Sequence, residues 1–263
     1  MIGTGGTISH PDTLATLGIA LLMNAAVFVP AYLLRTDKLT DVTYALTFVA
    51  LATYGLVAGP GNPAHGVLFV MVIVWAARLG GYLLLRIHSM GRDARFDDRR
   101  GSFLRFGAFW LLQGVTVWVV MLPSTFFFAR PVDRISAWAL IGVAVWLAGL
   151  VIETIADAQK YRFRTDPRNE GRWIEHGLWR YSRHPNYLGE IMLWTGVYLY
   201  TLFGLAIGQA LVGAVGPLYL ALLILLVSGI PILEKRADER WGGNEAYRRY
   251  RRRTGILLPL PRR

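Results

Sequence analysis

The chain contains no cysteine, and it is poor in charged residues. Without cysteine it has neither a disulfide framework nor thiolate chemistry. Asp, Glu, Lys and Arg make up 17% of the residues and apolar side chains 54%, whereas soluble domains carry about a quarter charged residues. The mean hydropathy of +0.39 points the same way. The composition therefore predicts an all-α, polytopic integral membrane protein.

Several sequence signals of soluble or metal-dependent function are also missing. The first twelve residues contain no basic n-region, so we expect no cleaved signal peptide. There is no G-x-G-x-x-G after a predicted strand, no Walker A loop and no H-E-x-x-H motif. We therefore expect no metal and no soluble nucleotide-binding domain, so any nucleotide has to bind within the helical bundle.

The net charge of +11 raises the question of a nucleic-acid partner. The arginines, however, are clustered between hydrophobic runs, which is where the positive-inside rule places them in membrane proteins. We therefore expect no nucleic acid partner.

Seven runs of the sequence are apolar enough to span a membrane, which needs about 20 predominantly apolar residues. The second run is the weakest, because it is short and contains Thr and Tyr. The runs cover residues 14–34, 42–59, 66–85, 103–127, 135–156, 188–207 and 209–232. The sequence predicts a single membrane domain folded as a seven-transmembrane-helix bundle.

The basic residues predict how this bundle is oriented. With seven spans, alternate connections share a side, and 25 of the 28 Lys and Arg residues then fall on one side. The opposite side keeps Arg130 and Arg134, and Arg78 lies inside a span. Because basic residues collect in cytoplasmic loops, we expect the N-terminus outside and the C-terminus and both long arginine-rich loops in the cytoplasm.

The polar residues also divide the membrane domain into two halves. The first four spans contain few strongly polar groups, whereas the last three spans are linked by charged segments. Residues 1–130 are therefore expected to form an apolar half, and residues 131–263 a polar half.

Ionisable groups inside a span are functional candidates, because they are costly in hydrocarbon. Arg78 has at least seven residues of span on either side, so we expect it to meet a carboxylate, a carbonyl or an anionic ligand. An arginine–aspartate bridge between spans is the structural alternative. Asp41 opens the second span and is either a functional carboxylate or a helix N-cap. Tyr82, Arg86 and His88 are the other candidates in this half.

One charged stripe leaves the fifth span. Its members are spaced 4, 3 and 4 residues apart, which places them on one face of a helix: Glu153, Asp157, Lys160 and Arg164. The stripe is either a ladder of surface ion pairs or the wall of a site for a polar ligand. Because it begins inside a span, we favour the ligand site.

The segment after this stripe is rich in Gly, Pro and Asn, so it is predicted to be a loop that re-enters the membrane at about Asn186. Arg172, Arg180 and Arg183 lie in it, and guanidinium forks suit phosphate oxygens. Asn186 can both accept and donate, as a carboxamide partner requires. Glu190, one turn later, can accept from a bound amide, a ribose hydroxyl or an arginine.

The chain beyond the last span repeats this mixture of charges. For Glu234 and Arg236 we favour contact with a ligand, and for the arginines between 248 and 253 we favour binding of anionic lipid headgroups. Tyr247 lies in the same basic helix. Together with the loop, these residues predict a cytoplasm-facing, arginine-lined site for a polar, anionic and phosphorylated ligand.

Two stretches of this polar half resemble a known family. The sequence GLWRYSRHPNYLGEIMLWTG at residues 177–196 resembles the C-terminal signature of the steroid 5-alpha-reductases and their bacterial relatives, and is similar to the sterol C14- and delta-7-reductases. ADAQKYRFR at residues 156–164 is similar to the segment that precedes that signature. The resemblance implies a seven-span bundle in the bacterial cytoplasmic membrane, binding NADPH from the cytoplasmic side with its last spans and an apolar substrate within its first four.

Carried over by position, the resemblance implies that Asn186 holds the nicotinamide carboxamide and that the arginines bind the phosphates. Asp157, Arg164, Arg172 and Glu190 would be further NADPH contacts. The other expected cofactor contacts are Glu153, Lys160, Arg180, Tyr181, Arg183, His184, Tyr187, Glu234, Arg236 and Tyr247. Glu153 stands where the steroid enzymes have an asparagine.

The chemistry that the resemblance implies is hydride transfer to the β carbon of an apolar enone, such as a 3-oxo-delta-4 steroid or a similar lipid. Negative charge then develops on the carbonyl oxygen, so a donor has to point at it. Asp41 stands at the place of the family's glutamate, but Trp75 stands at the place of its tyrosine. Tyr44 and Tyr82 are therefore the substitute catalytic candidates, with Trp75 and Arg78 in the substrate cavity.

Two other functions fit parts of the same sequence. Isoprenylcysteine carboxyl methyltransferases share a similar bundle, an Arg-His-Pro motif and a pattern like RWGGNEAYRRYRR, and they bind S-adenosylmethionine. We favour NADPH because Asn186 follows the proline and because Asp157 and Arg164 precede the motif. A non-catalytic sterol- or lipid-binding membrane protein is the second alternative. We expect a monomer that contacts membrane lipid and an apolar small molecule.

Overall fold

The computed structural model describes residues 11–90, 101–132 and 134–258, without the side chains of residues 83–90. Its regular structure is helical, and within these residues the one departure is an isolated parallel bridge between Ser182 and Gly255. The α-helices are α1 Thr13–Leu33, α2 Lys38–Ala58, α3 Pro63–Met90, α4 Phe103–Phe128, α5 Ala137–Thr165, α6 Pro185–Thr201, α7 Ile207–Gly213, α8 Val215–Leu222, α9 Ile230–Trp241 and α10 Glu245–Arg253. Short 3-10 turns cover Pro167–Asn169, Gly177–Arg180 and Leu202–Gly204. The all-α fold expected from composition is thus confirmed.

Six helical segments among the described residues are long and apolar enough to cross a membrane. They are α1, α2, α3 up to Tyr82, α4, α5 and the segment Ile207–Trp241. The run expected at residues 188–207 falls on α6, whose 17 residues reach only the lower limit of a spanning helix. The count of seven spans and their orientation stay predictions.

The last expected span is not one regular helix. It consists of α7, α8, a π-helical turn at Leu223–Val227 and α9. The irregular turn is followed by Gly229, and Ser228 Oγ donates to the carbonyl of Leu223 at 3.3 Å. This side-chain hydrogen bond helps to satisfy the Leu223 carbonyl, at the point where the regular α-helical hydrogen bonds are interrupted.

The described chain groups into two compact units. The first comprises Met1–Leu140 and Val197–Gly216, and the second comprises Ile141–Gly196 and Pro217–Arg263. The assignment of a substrate half to residues 1–130 and a cofactor half to residues 131–263 concerns function and stays a prediction.

A buried network of amide and hydroxyl groups links three helices of the first unit. Asn24 on α1 donates to Thr47 Oγ1 on α2 at 3.3 Å and to the carbonyl of Ala20 at 2.9 Å. Gln113 on α4 donates to Asn24 Oδ1 at 3.0 Å and to the carbonyl of Thr40 at 3.1 Å. Because lipid offers no hydrogen bonds, such groups are stable in apolar helices only when they satisfy one another.

Glycines bring α5 and α6 of the second unit into backbone contact. A Cβ added at Gly149 would lie 2.6 Å from the carbonyl oxygen of Gly189, and one added at Gly189 would lie 2.6 Å from the backbone nitrogen of Glu153. Gly196 packs in the same way against the backbone of Trp146. This close approach places the charged stripe of α5 beside the first turns of α6.

Candidate functional site

The loop before α6 is held by the C-terminal part of the chain. The backbone N–H of Arg183 donates to the carbonyl of Gly255 at 2.8 Å, and that of His184 donates to the carbonyl of Ile256 at 3.1 Å. Tyr250 on α10 donates its hydroxyl to the carbonyl of Trp179 at 2.9 Å. Burial raises the pKa of Tyr250, so the hydroxyl keeps the proton that this bond requires. The tail therefore fixes the backbone of the Arg-His-Pro motif.

The same loop is held by α5. Trp179 is buried, and its indole N–H donates to the carbonyl of Ala156 at 3.0 Å. The ammonium of Lys160 lies 4.6 Å from the Trp179 ring centroid, in cation–π contact. Gln159 accepts from the backbone N–H of Leu178 at 2.9 Å. Gly177 makes this turn possible, because its φ of +60° is strained for residues with a Cβ.

Glu234 of α9 is the centre of the charged groups around the motif. It forms an ion pair with Arg183, and its Oε1 lies 2.8 Å from His184 Nε2. Arg251 of α10 lies 3.8 Å from its other oxygen and also pairs with Asp238. The carboxylate thus joins α9, α10 and the motif loop.

His184 is kept neutral by its surroundings. Burial lowers the pKa of its imidazole, and the bond to Glu234 only partly opposes this effect. A neutral imidazole carries one N–H, and the proximity of the carboxylate assigns it to Nε2. Nδ1 is then a hydrogen-bond acceptor.

Three polar atoms beside Pro185 are buried without a hydrogen-bond partner in the part of the chain that the structure describes. They are Arg183 Nε, His184 Nδ1 and Asn186 Oδ1. The first is a donor and the other two are acceptors. A buried polar atom without a partner costs about 1–3 kcal/mol, so three of them within four residues indicate a place where a polar ligand can bind.

The charged stripe of α5 lies on one continuous helix, as the spacing predicts. It runs from buried carboxylates to an exposed guanidinium: Glu153 and Asp157 are 4% and 5% exposed, Lys160 is partly buried, and Arg164 is exposed. Glu190 is partly buried on α6, one residue after the glycine that contacts Glu153. The stripe therefore connects the interior beside α6 with the surface.

The other expected cofactor contacts have different settings. Arg172, Arg180, Tyr181 and Arg236 are exposed. Tyr187 stacks on His184 with ring centroids 5.8 Å apart. Tyr247 is buried and packs against Trp173 and Trp241, at centroid distances of 5.3 Å and 5.8 Å. The structure thus groups Arg183, His184, Asn186, Tyr187 and Glu234, and places Tyr247 in an aromatic cluster.

Sequence reasoning missed several residues that shape this site. Trp179, Arg251 and Asp238 were not among the expected site residues, nor were the backbone carbonyls of Gly255 and Ile256. The spacing of Glu234 and Asp238, four residues apart, was an available signal that both face one side of a helix. The backbone contacts leave no trace in side-chain identity.

In the first unit, two helices bring expected catalytic and cavity residues together. Tyr44 on α2 lies edge-on to Trp75 on α3, with ring centroids 6.4 Å apart. Phe48 packs on the same indole at 4.7 Å. The guanidinium of Arg78 lies 5.7 Å from the Tyr82 ring centroid. The aromatic groups of α2 and α3 therefore face each other.

One expectation in this unit needs correction. Asp41 is not the N-cap of α2, because the helix begins at Lys38 and its N-cap is Asp37. Asp41 lies in the first turn, where the positive end of the helix dipole stabilises its negative charge. The side chains of Arg86 and His88 lie outside the described residues.

Comparison with known proteins adds a family to this geometry. The family described as "Protein of unknown function (DUF1295)" matches residues 27–254. The chain belongs to the DUF1295 family. The match includes α2 to α10 and all the expected site residues, so this DUF1295 chain carries its candidate site within the family's own region.

A curated relative and the solved structures add little to this assignment. A Schizosaccharomyces pombe protein named "Uncharacterized protein C594.04c" is 28% identical to the DUF1295 chain over 141 residues. The match covers 47% of the chain and only 39% of the yeast protein. No solved structure gives a significant match.

Proposed function

We propose that the protein is a membrane reductase that uses NADPH to reduce the C=C bond of an apolar enone. The observation that carries this proposal is the set of three buried atoms beside Pro185, on Arg183, His184 and Asn186, that find no hydrogen-bond partner among the described residues. These residues belong to the stretch that resembles the steroid 5-alpha-reductases.

These atoms fit the carboxamide end of NADPH. A carboxamide offers two N–H donors and one carbonyl acceptor. Asn186 Oδ1 and His184 Nδ1 can accept the two N–H groups, and Arg183 Nε can donate to the carbonyl. The protein thus offers two acceptors and one donor, which match the two donors and one acceptor of the carboxamide. We prefer NADPH as the ligand for this reason.

The phosphates would be held by arginines with exposed guanidinium groups. Arg164, Arg172 and Arg180 lie at the surface, and guanidinium forks can bind phosphate oxygens bidentately. Arg183 has a different role, because its guanidinium is paired with Glu234. We propose that this pair orients the motif, while the exposed arginines bind charge.

The remaining chemistry takes place at the enone, whose C=C bond takes up a hydride at the β carbon and a proton at the α carbon. When bound, NADPH supplies the hydride that reduces the β carbon. The protein has to donate a hydrogen bond to the oxygen on which negative charge develops. We propose Tyr44 as this donor, because its ring contacts Trp75. Trp75 stands where the steroid 5-alpha-reductases, by resemblance, have a tyrosine. Hydride addition to the β carbon would leave an enolate, and the reduction is completed when its α carbon takes up one proton. We propose that this proton comes from water through Asp41 and Tyr44, and that Asp41, one helical turn before Tyr44, also orients the phenol.

The membrane topology follows from the same site. We propose seven spans, with α6 as a short one, in a bacterial cytoplasmic membrane. The N-terminus would face outward and the site beside Pro185 the cytoplasm, where NADPH is available. The excess of basic residues on one side supports this orientation.

The experiment that tests the activity is NADPH oxidation by the purified protein in detergent. Flat apolar enones of the steroid, isoprenoid and fatty classes are offered in turn, and the loss of NADPH absorbance is followed. We expect at least one class to be reduced at its C=C bond. Consumption of S-adenosylmethionine in place of NADPH would support the methyltransferase alternative.

A further inference from the structure

The C-terminal helix α10 has two faces of different character. Its inner face packs on the rest of the second unit through Tyr247, Tyr250, Arg251 and the following Thr254. Its outer face carries five exposed charged residues, namely Glu245, Arg248, Arg249, Arg252 and Arg253. The inner face already fixes the helix in place, so the outer face is available for another partner.

The charges of this outer face are not balanced by carboxylates in the part of the chain that the structure describes. Glu245 accepts from Arg248 at 3.0 Å and from Arg252 at 3.1 Å. For Arg249 and Arg253, no carboxylate of the described residues lies within ion-pair distance. These two arginines are four residues apart and repel each other, so an external anion would stabilise both.

The position of α10 places these arginines near the end of a candidate span. Arg251 lies 3.8 Å from Glu234. Glu234 directly follows Leu233, the last residue of the apolar run in the candidate span Ile207–Trp241. A helix with side chains is about 10–12 Å thick. The outer arginines therefore lie within roughly one helix diameter of the end of the apolar segment.

Exposed apolar side chains follow directly after α10. Ile256 is 44% exposed and Leu258 is 68% exposed. The carbonyl of Ile256 is fixed by Ser182 Oγ at 3.2 Å and by the N–H of His184. Arginines next to exposed apolar side chains are the pattern of elements that lie in the membrane interface.

We propose that the outer face of α10, with Ile256 and Leu258, binds the headgroup of an anionic phospholipid. The arginine forks would bind the phosphodiester, and the two apolar side chains would contact the start of the acyl chains. Each arginine is expected to contribute about fivefold in affinity. This site is separate from the three buried atoms beside Pro185 and does not depend on a reductase activity.

The test compares lipid binding to the intact protein and to matched variants. Phosphatidylglycerol, phosphatidylcholine and soluble glycerol 3-phosphate are titrated onto the detergent-solubilised protein, and bound ligand is counted by native mass spectrometry. The variant Arg249→Gln/Arg253→Gln is compared with Arg130→Gln/Arg134→Gln, which removes two exposed arginines elsewhere in the chain. We expect the first variant to lose roughly 25-fold in phosphatidylglycerol affinity and the second to bind as the unaltered protein does.

Several outcomes decide the proposal. Weaker binding of phosphatidylglycerol, but not of glycerol 3-phosphate, in Ile256→Ser/Leu258→Ser would support a lipid ligand. Equal phosphatidylglycerol affinity in Arg249→Gln/Arg253→Gln and the unaltered protein would overturn the proposal. Glycerol 3-phosphate binding as tightly as the lipid would also overturn it, since the site would then bind free phosphate. Loss of NADPH binding with phosphatidylglycerol binding retained would assign these arginines to the cofactor instead.

Discussion

The imidazole Nε2 of His184 lies 2.8 Å from Oε1 of Glu234, and this contact joins the Arg-His-Pro motif to helix α9. It fixes which nitrogen of the imidazole carries the proton, and it leaves Nδ1 as an acceptor beside Pro185. The other oxygen of Glu234 holds Arg183. One carboxylate therefore orients two of the three atoms that we assign to the ligand.

The neutral state of His184 predicts an acid-sensitive step in stability. Because burial lowers the pKa of His184 below 6.5, the unfolded chain binds this proton more readily than the folded chain does. The free energy of unfolding should therefore fall as pH falls below 6.5, with no contribution from this residue above that pH. Melting temperatures measured from pH 7 down to about pH 5 should decline less for His184→Gln than for the unaltered protein. The control is His176→Gln, at an exposed histidine, which should keep the pH dependence of the unaltered protein. If melting temperature fell equally with pH in both variants, His184 would not be the group responsible.

Removal of the Glu234 charge should destabilise the second unit. Glu234→Gln leaves Arg183 largely buried, with its side chain 10% exposed, and without its counter-charge. Because the carboxylate is still partly exposed, we expect a loss of about 1–3 kcal/mol, below the 3–5 kcal/mol of a fully buried pair. The melting temperature in detergent measures the effect. Glu239→Gln is the matched control, since its pair with Lys235 is exposed and 4.0 Å apart. Equal melting temperatures for the two variants would count against the central role of Glu234.

The glycine contact between α5 and α6 predicts a steric effect. In Gly189→Ala the new methyl group would lie 2.6 Å from the backbone nitrogen of Glu153, so the two helices have to separate. We expect a loss of about 1–3 kcal/mol, measured as a lower melting temperature, together with weaker NADPH binding. Gly208→Ala, where an added Cβ meets no atom within 4 Å, should be neutral or slightly stabilising. A neutral Gly189→Ala would show that this helix contact is not close in the membrane.

The proposed donor predicts a separation of turnover from cofactor binding. Tyr44→Phe should lower kcat by about 10²–10⁴-fold, because the developing oxyanion loses its donor. Asp41→Asn should have an effect of the same order, because Tyr44 loses the group that orients it and returns its proton. Both variants should leave the Kd for NADPH unchanged. Tyr82→Phe should have a smaller effect, since its ring lies against Arg78 and its hydroxyl is not the proposed donor. Steady-state rates and direct NADPH titration test both parts. If Asp41→Asn retained full turnover, the carboxylate would have no catalytic role and would only stabilise the first turn of α2.

The helices were predictable from the sequence because long apolar runs leave a strong hydropathy signal. The runs at residues 14–34 and 103–127 coincide with α1 and α4 within a few residues. Helix ends were less certain, as the N-cap of α2 at Asp37 shows. The break in the last run at Leu223–Val227 is followed by Ser228, Gly229 and Pro231, residue types that often end or kink a helix, but the expectation of one continuous span rested on hydropathy alone.

The polar contacts between helices were not predictable from local patterns. Gln113 and Asn24 are 89 residues apart, and single amides in apolar runs hardly change their hydropathy. Arg183 and Glu234 are 51 residues apart, and the ion pair between them was not expected. A sequence pattern shows which residues are costly in a membrane, but the choice between a ligand and a protein partner depends on tertiary packing.

The central claim is that Asn186 and its neighbours hold the carboxamide of NADPH, and one binding measurement tests it most directly. The melting temperature of the detergent-solubilised protein is measured with NADPH and with S-adenosylmethionine, for the unaltered protein, Asn186→Ala and the control Gln209→Ala. We predict that NADPH raises the melting temperature of the unaltered protein and of Gln209→Ala, and that Asn186→Ala loses most of this rise while its own melting temperature stays near the original. Stabilisation by S-adenosylmethionine alone, or an unchanged NADPH response in Asn186→Ala, would contradict the claim.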